Sequence, residues 1–208
     1  AGLDDEYPQR FGFREFWIEG RNFILNGIPI RLRPMLPEEP FAIAEIDGVI
    51  DGMRSRGFNA SQMWPTDHDK RGNAFQHREV FAERASEKGW LVIGSLLSMS
   101  PYLVDTKYQF IWNAAKRDAW RKRMETDMRR YRNYPSIIIW GTTANFFNLA
   151  SDQDPRHIGR KNFLPSDSTD PKVAAGREGL AIIREADPTR PVFTHAGNRM
   201  GDIYTLNH

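Results

Sequence analysis

Apolar positions in this chain follow two rhythms. The first is short. Phe11 to Ile18 alternates well enough for a strand, Glu19-Gly20-Arg21 marks a turn, and Phe23-Ile24-Leu25 makes a second short strand. Asn26-Gly27 is a strong hairpin signal, and Ile28 to Arg33 leaves it as another strand. Pro34, Pro37 and Pro40 then predict a loop. The second rhythm is longer. Ile43, Ile46, Ile50 and Met53 recur at helical spacing, with Gly57 as the stop. Phe58 to Trp64 predicts a strand, Gln76 to Lys88 a helix ended by Gly89, and Trp90 to Leu97 a buried strand.

Ser98 to Phe110 has no regular pattern. A charged helix follows from Ala115 to Arg132, with Trp120, Met124, Met128 and Tyr131 as its apolar stripe. The run Ile137-Ile138-Ile139-Trp140 is apolar at every position, as in a strand buried on both faces of a parallel sheet. The polar segment from Asn148 to Pro171 is too long for an ordinary connection. Pro171 to Ala186 predicts a helix, Asp187 to Pro191 a turn and Val192 to Thr194 a strand. Asp202 to Leu206 begins another. Strand and helix alternate from Ile30 onward, so the chain is an α/β chain of parallel βαβ units.

Composition narrows the function classes. The 208 residues are 40% hydrophobic, enough for a sizeable core. A net charge of +2 makes no case for nucleic acid or an anionic membrane, and Asp118, Glu125 and Asp127 interrupt the arginines of the charged helix. No apolar run approaches the ~18 residues of a membrane span. No signal peptide is visible at Ala1. Zero cysteines excludes disulfides and thiolate chemistry within the chain. There is no Gly-rich phosphate loop, and no cofactor or metal is expected.

Several motifs carry a resemblance. Gly12-Phe13-Arg14 and the run from Phe23 to Arg33 look like the junction where glycoside hydrolase family 2 proteins pass from a β-sandwich into a (β/α)8 TIM barrel. Arg56-Gly57-Phe58-Asn59 resembles the lead-in to the second barrel strand. Arg132-Asn133-Tyr134-Pro135-Ser136 through Trp140 is similar to the strand-four signature. Asp187-Pro188-Thr189-Arg190-Pro191-Val192 matches the lead-in to strand five. The resemblance implies a partial barrel of about five to six βα units. Residues 1–29 would be the end of a preceding β-sandwich with its hairpin, and 30–208 the N-terminal part of the barrel. It further implies a retaining β-glycosidase acting on oligo- or polysaccharide. The rest of a parent polypeptide would then be a partner and would carry the nucleophile. The compartment is open, with a periplasmic or secreted location favoured.

The resemblance places an acid/base glutamate just past strand four, and here the motif departs. That position falls on Asn145, or on Phe146 if one residue is inserted. The nearest acids are Asp152 and Asp154, candidates for the acid/base role, although they could instead cap the turn at Pro155. Asn145 is a candidate for a sugar hydroxyl, or it could fix its own loop. Trp64 could stack on a sugar face or simply pack, while Trp140 suits the core. The family's arginine and histidine around strand two align with Ala60 and Met63, and its acidic end of strand three with Ser95 to Met99. His195 and His208 lie at strand ends and are candidates for substrate recognition. His68 sits in a polar loop and suits solvent. A metal site of His157, His195, His208 and Asp152 matches no metal spacing. Arg156 and Arg160 could meet an acidic sugar, but solvation is the commoner fate of such arginines.

Overall fold

The structure, a computed structural model, describes residues 11–36, 42–64, 77–105, 107, 109–142, 146, 156 and 169–205. Three N-terminal strands, β1 (Phe16–Glu19), β2 (Asn22–Leu25) and β3 (Ile28–Ile30), form an antiparallel sheet in that order. Asn26 and Gly27 join β2 to β3 with φ of 50° and 79°. Both are left-handed, as the predicted tight hairpin requires. The Asn26 side chain also accepts the Glu15 N–H at 2.9 Å. The first strand is shorter than its alternation predicts, because Phe11 and Phe13 lie outside it and are exposed.

A second sheet has five parallel strands in chain order: β4 (Pro34–Met35), β5 (Ala60–Met63), β6 (Leu91–Gly94), β7 (Ile137–Thr142) and β8 (Val192–Thr194). Helices α1 (Ile46–Ser55), α2 (Arg78–Glu87), α3 (Ala114–Tyr131) and α4 (Pro171–Ala186) fill the connections. This is an α/β fold consistent with part of a barrel. Ile30 still pairs with Phe23, and the parallel sheet begins at Pro34. That strand replaces the loop expected at Pro34. A proline gives no N–H to a ladder, and the sheet edge is where that loss is tolerated.

Two connections from helix to strand share one device. Gly57 and Gly89 have φ of 88° and 63°. The Phe58 N–H reaches back to the Met53 carbonyl at 3.2 Å, and the Trp90 N–H to the Ala85 carbonyl at 2.8 Å. These bonds satisfy carbonyls left open at the ends of α1 and α2 and aim the chain into β5 and β6. Asn59 then accepts the Arg33 N–H at 2.7 Å and donates to the Arg31 carbonyl at 2.8 Å, fixing the approach to β4. Ile43 is 53% exposed in a 3-10 turn before α1, so it drops out of the stripe that Ile46, Ile50 and Met53 bury. On α3 the stripe is buried as predicted, and Arg117 and Arg130 pair with Glu178 and Glu79.

The strand expected from Asp202 does not form among the described residues. Instead the chain doubles back after β8, with a bridge between Asn198 and Thr205. Asp202 accepts the Val192 N–H on its side chain, donates its own N–H to the Val192 carbonyl, and pairs with Arg184. Gly201 permits this close return, since a Cβ there would lie 2.5 Å from the Val192 carbonyl oxygen.

All six residues of β7 are buried. Its register against β6 jumps, because Val92 faces Ile137 while Ile93 faces Ile139. Ile138 is therefore the extra residue of a bulge. The Ile137 carbonyl is taken by two guanidinium groups, Arg14 at 2.7 Å and Arg190 at 2.8 Å. Arg190 also donates to the Arg132 carbonyl and pairs with Asp187 at 2.6 Å. Asp187 accepts from the Trp140 indole at 2.7 Å, from the Thr189 N–H at 2.9 Å and from the Thr189 hydroxyl at 2.5 Å. Burial alone pushes the Asp187 carboxyl up. The hydrogen bonds from Thr189 and Trp140 and the Arg190 charge outweigh that and hold it below the usual range. Burial, reinforced by the Arg190 charge and opposed by Asp187, pulls Arg14 down to about 10.

The Asp187 and Arg190 side chains are 7% and 8% exposed. Asp187→Ala therefore leaves a buried guanidinium unpaired and should cost about 3–5 kcal/mol in urea unfolding. The same group sets an acid dependence. An unfolded aspartate ionises near pH 3.9, and in the folded chain Asp187 does so at lower pH. The unfolded state thus binds more protons in acid. The contribution is fully present above about pH 4 and is lost as pH falls through the folded value. Urea midpoints measured from pH 6 downward should drop more steeply for the wild type than for Asp187→Asn.

Candidate functional site

Alternation along the parallel strands separates two faces. Met63, Val92, Ile137, Trp140 and Val192 pack with the helices in one cluster. Ala60, Leu91, Ile139 and Phe193 pack in a second cluster with Phe16 of the hairpin. Side chains two residues further along share a face. The helix-free face therefore carries Gln62 on β5, Ser95 after β6, Gly141 on β7 and His195 after β8, while Trp64, just past β5, packs against the helix-side cluster.

Their contacts agree. The Gln62 amide donates to the Ser95 hydroxyl at 2.8 Å. A Cβ on Gly141 would lie 2.7 Å from both the Ser95 hydroxyl oxygen and the Phe193 ring. The Trp64 and His195 rings meet with centroids 4.9 Å apart at 73°. Strands β5 and β8 have two strands between them, so in a flat sheet they would lie ~14 Å apart. The ring contact therefore requires a sheet that curls, bringing the ends of β5 and β8 toward each other. Both rings stand just past the C-terminal ends of their strands, the end at which barrels and open α/β sheets bind ligands.

The hairpin covers the opposite end. A groove of about 520 Å³ lies there, bordered by Trp17, Ile18, Arg184, Pro188, Pro191 and Asp202. It sits at the hairpin and the start of β8, away from the Trp64–His195 pair.

Of the candidates, the fold brings Trp64 and His195 together. Asn145, Asp152, Asp154 and His208 lie outside the described residues, as do His68, His157 and Arg160. Arg156 is exposed. Phe146 does not join the Trp64–His195 pair. It is 1% exposed, its N–H donates to the His195 carbonyl at 3.0 Å, and its ring packs against α4 at Gly176 with the Lys172 ammonium 5.0 Å away. Its apolar ring explains this: the helical layer has room for it beside a residue with no side chain. Met63 also belongs to the helix side, and Ala60 to the helix-free side. Trp140 is core, as expected.

Two polar groups on the helix-free face, Gln62 and Ser95, were not among the candidates. The available signal was the period of two, which puts Gln62 on the side of Ala60 and Ser95 on the side of Leu91. Among the described residues no group of three or more His, Cys, Asp or Glu could hold a metal ion.

No protein-family model matches the chain. A β-galactosidase from Thermoanaerobacterium thermosulfurigenes is 25% identical over 215 residues, covering 99% of this chain and 25% of that protein. The chain thus spans about a quarter of the length of the curated relative it matches. Among solved structures, a β-glucuronidase from Parabacteroides merdae with glycerol in its active site matches with a TM-score of 0.60 at 19% identity. That match covers 94% of this chain and 23% of the other. A family 2 β-galacturonidase from Eisenbergiella tayi bound to galacturonate matches with a TM-score of 0.55 at 20% identity, covering 92% and 30%. The chain resembles part of a glycoside hydrolase family 2 domain, and the structural likenesses establish that fold.

The placement of Phe146 is testable. Phe146→Glu would bury a carboxylate in the helical layer. It should lower the melting temperature and give no gain in glycoside turnover; a stable, newly active variant would put residue 146 beside the Trp64–His195 pair instead. Gly141→Ala should cost about 1–3 kcal/mol in urea unfolding, because neither the Phe193 ring nor the buried Ser95 can withdraw freely.

Proposed function

We propose that this chain forms part of the catalytic barrel of a retaining β-glycosidase that hydrolyses glycosidic bonds in oligo- or polysaccharides. The observation that carries the reading is the Trp64–His195 pair at the C-terminal end of a curled parallel sheet. An indole offers a flat apolar surface for the C–H face of a sugar, and an imidazole can bond its hydroxyls. The relatives named above, a β-galactosidase by sequence and β-glucuronidase and β-galacturonidase by fold, support the same reading.

In this proposal the chain contributes five or six βα units from residue 30 onward, and residues 1–29 continue from an upstream β-sandwich. The nucleophile belongs to the remainder of the parent polypeptide. Retention needs a second carboxylate about 5 Å from it as acid/base. Asp152 or Asp154 takes that role, with Asn145 and His208 joining Trp64 and His195 in holding the sugar.

A second reading is a barrel that binds carbohydrate without catalysis. It is favoured by Phe146, which stands at one of the two positions aligned with the acid/base glutamate and is committed to the core.

Turnover of aryl β-glycosides by the full-length parent, beside Asp152→Asn and Asp154→Asn, separates the two. The catalytic reading expects one variant to lose about 100-fold or more in kcat while still binding sugar. Glycan binding with no turnover in the parent supports the second reading. Absence of both would remove glycan recognition altogether.

A further inference from the structure

We propose that Thr205 is a positioning residue for the sugar site. Its hydroxyl locks a left-handed turn after β8 and so sets the His195 ring before a glycan arrives; this rests on the glycan reading above.

The backbone past β8 carries two non-glycine residues in the left-handed region, Ala196 with φ of 51° and Asn198 with φ of 53°. Asparagine visits that region readily, whereas alanine is held there only by its surroundings. The Gly197 N–H donates to the Thr194 carbonyl at 2.9 Å, closing a turn with His195 and Ala196 at its centre. A positive φ at the second central residue of such a turn favours glycine, yet Ala196 stands there, fully buried. Gly197 is needed one position later, because a Cβ would lie 2.6 Å from the Thr194 Cβ. Strained backbone persists where the structure around it leaves no alternative, and it gathers at functional sites.

Thr205 supplies the constraint. Its hydroxyl donates to the Thr194 carbonyl at 2.6 Å and accepts the Gly197 N–H at 3.0 Å. Its backbone exchanges two bonds with Asn198, at 3.0 and 3.1 Å. One residue thus holds both ends of the turn. The His195 main chain is tied on its other sides, with its N–H on the Thr142 carbonyl at 3.2 Å and its carbonyl on the Phe146 N–H at 3.0 Å. What the turn delivers is the imidazole, set against the Trp64 ring. A recognition group ordered in advance gives up less freedom on binding.

The test titrates the full-length parent calorimetrically with phenyl β-thiogalactoside and phenyl β-thioglucuronide. Thr205→Val keeps the branched shape and loses both hydroxyl bonds. It should weaken the better ligand about fivefold to tenfold, and Thr205→Ser, which keeps the hydroxyl, should bind as wild type. His195→Ala should cost about tenfold. The double variant should bind within about twofold of His195→Ala alone, because Thr205 acts only through that ring. A purely structural role would lower the melting temperature of Thr205→Val and leave its affinity at the wild-type value, which overturns the inference. Losses that multiply in the double variant overturn it too, as does a His195→Ala that binds like wild type. In all three cases glycan recognition stands. Failure of the wild type to bind either thioglycoside overturns the glycan reading and this inference with it.

Discussion

The Asp187 carboxylate is the point on which the five-stranded sheet depends. The Asp187 backbone N–H closes the end of α4 on the Ile183 carbonyl, while its carboxylate turns the chain through Thr189 and Arg190 and receives the Trp140 indole from β7. Arg190 carries the connection onward, to the Ile137 carbonyl of the bulge and to the Arg132 carbonyl after α3. One buried ion pair thus ties together two helix ends, strand β7 and the approach to β8. A buried charge is tolerable only when every lone pair and proton is used. Both Asp187 oxygens accept bonds, and three guanidinium nitrogens of Arg190 donate them.

The bulge at Ile138 belongs to the same device. A regular strand would give the Ile137 carbonyl to its neighbour. The bulge releases it, and Arg14 and Arg190 take it up. Local bending at such a point also helps a sheet to curl. Curling brings Trp64 and His195 within contact across two intervening strands. The buried lock at one end of β7 and the ring contact at the other are therefore parts of one geometry. Glycine completes it at Gly141, where any side chain would collide with the layer beneath the mouth.

Much of the architecture was legible in the residues. The hairpin at Asn26-Gly27, the helix stops at Gly57 and Gly89, and the buried run of β7 follow from local conformational preference and from apolar period. The failures have local causes too. At Pro34 the breaker signal predicts a loop, yet a sheet edge accepts proline. Ile43 matched a helical stripe by spacing but lies in the turn before the helix. Asp202 to Leu206 has the pattern of a strand because no one-dimensional pattern reveals that Asp202 bonds to Val192 at the start of β8. The site was less legible. Trp64 and His195 stand out in the sequence as aromatic groups at strand ends, whereas nothing local marks the Gln62–Ser95 hydrogen bond.

What the sequence settled by itself was the order of strands and helices, their approximate limits and the faces that α1 and α3 bury. These depend on residues within a few positions of one another, where period and φ preference operate. What only the tertiary structure decided was which side chains share the helix-free face. It also decided that Phe146 turns toward α4, and that Arg14, Ile137, Asp187 and Arg190 meet. Those outcomes depend on strand register and sheet curvature. A single bulge reverses the facing of every residue beyond it, and nothing in the string Ile137-Ile138-Ile139 says which isoleucine is the extra one.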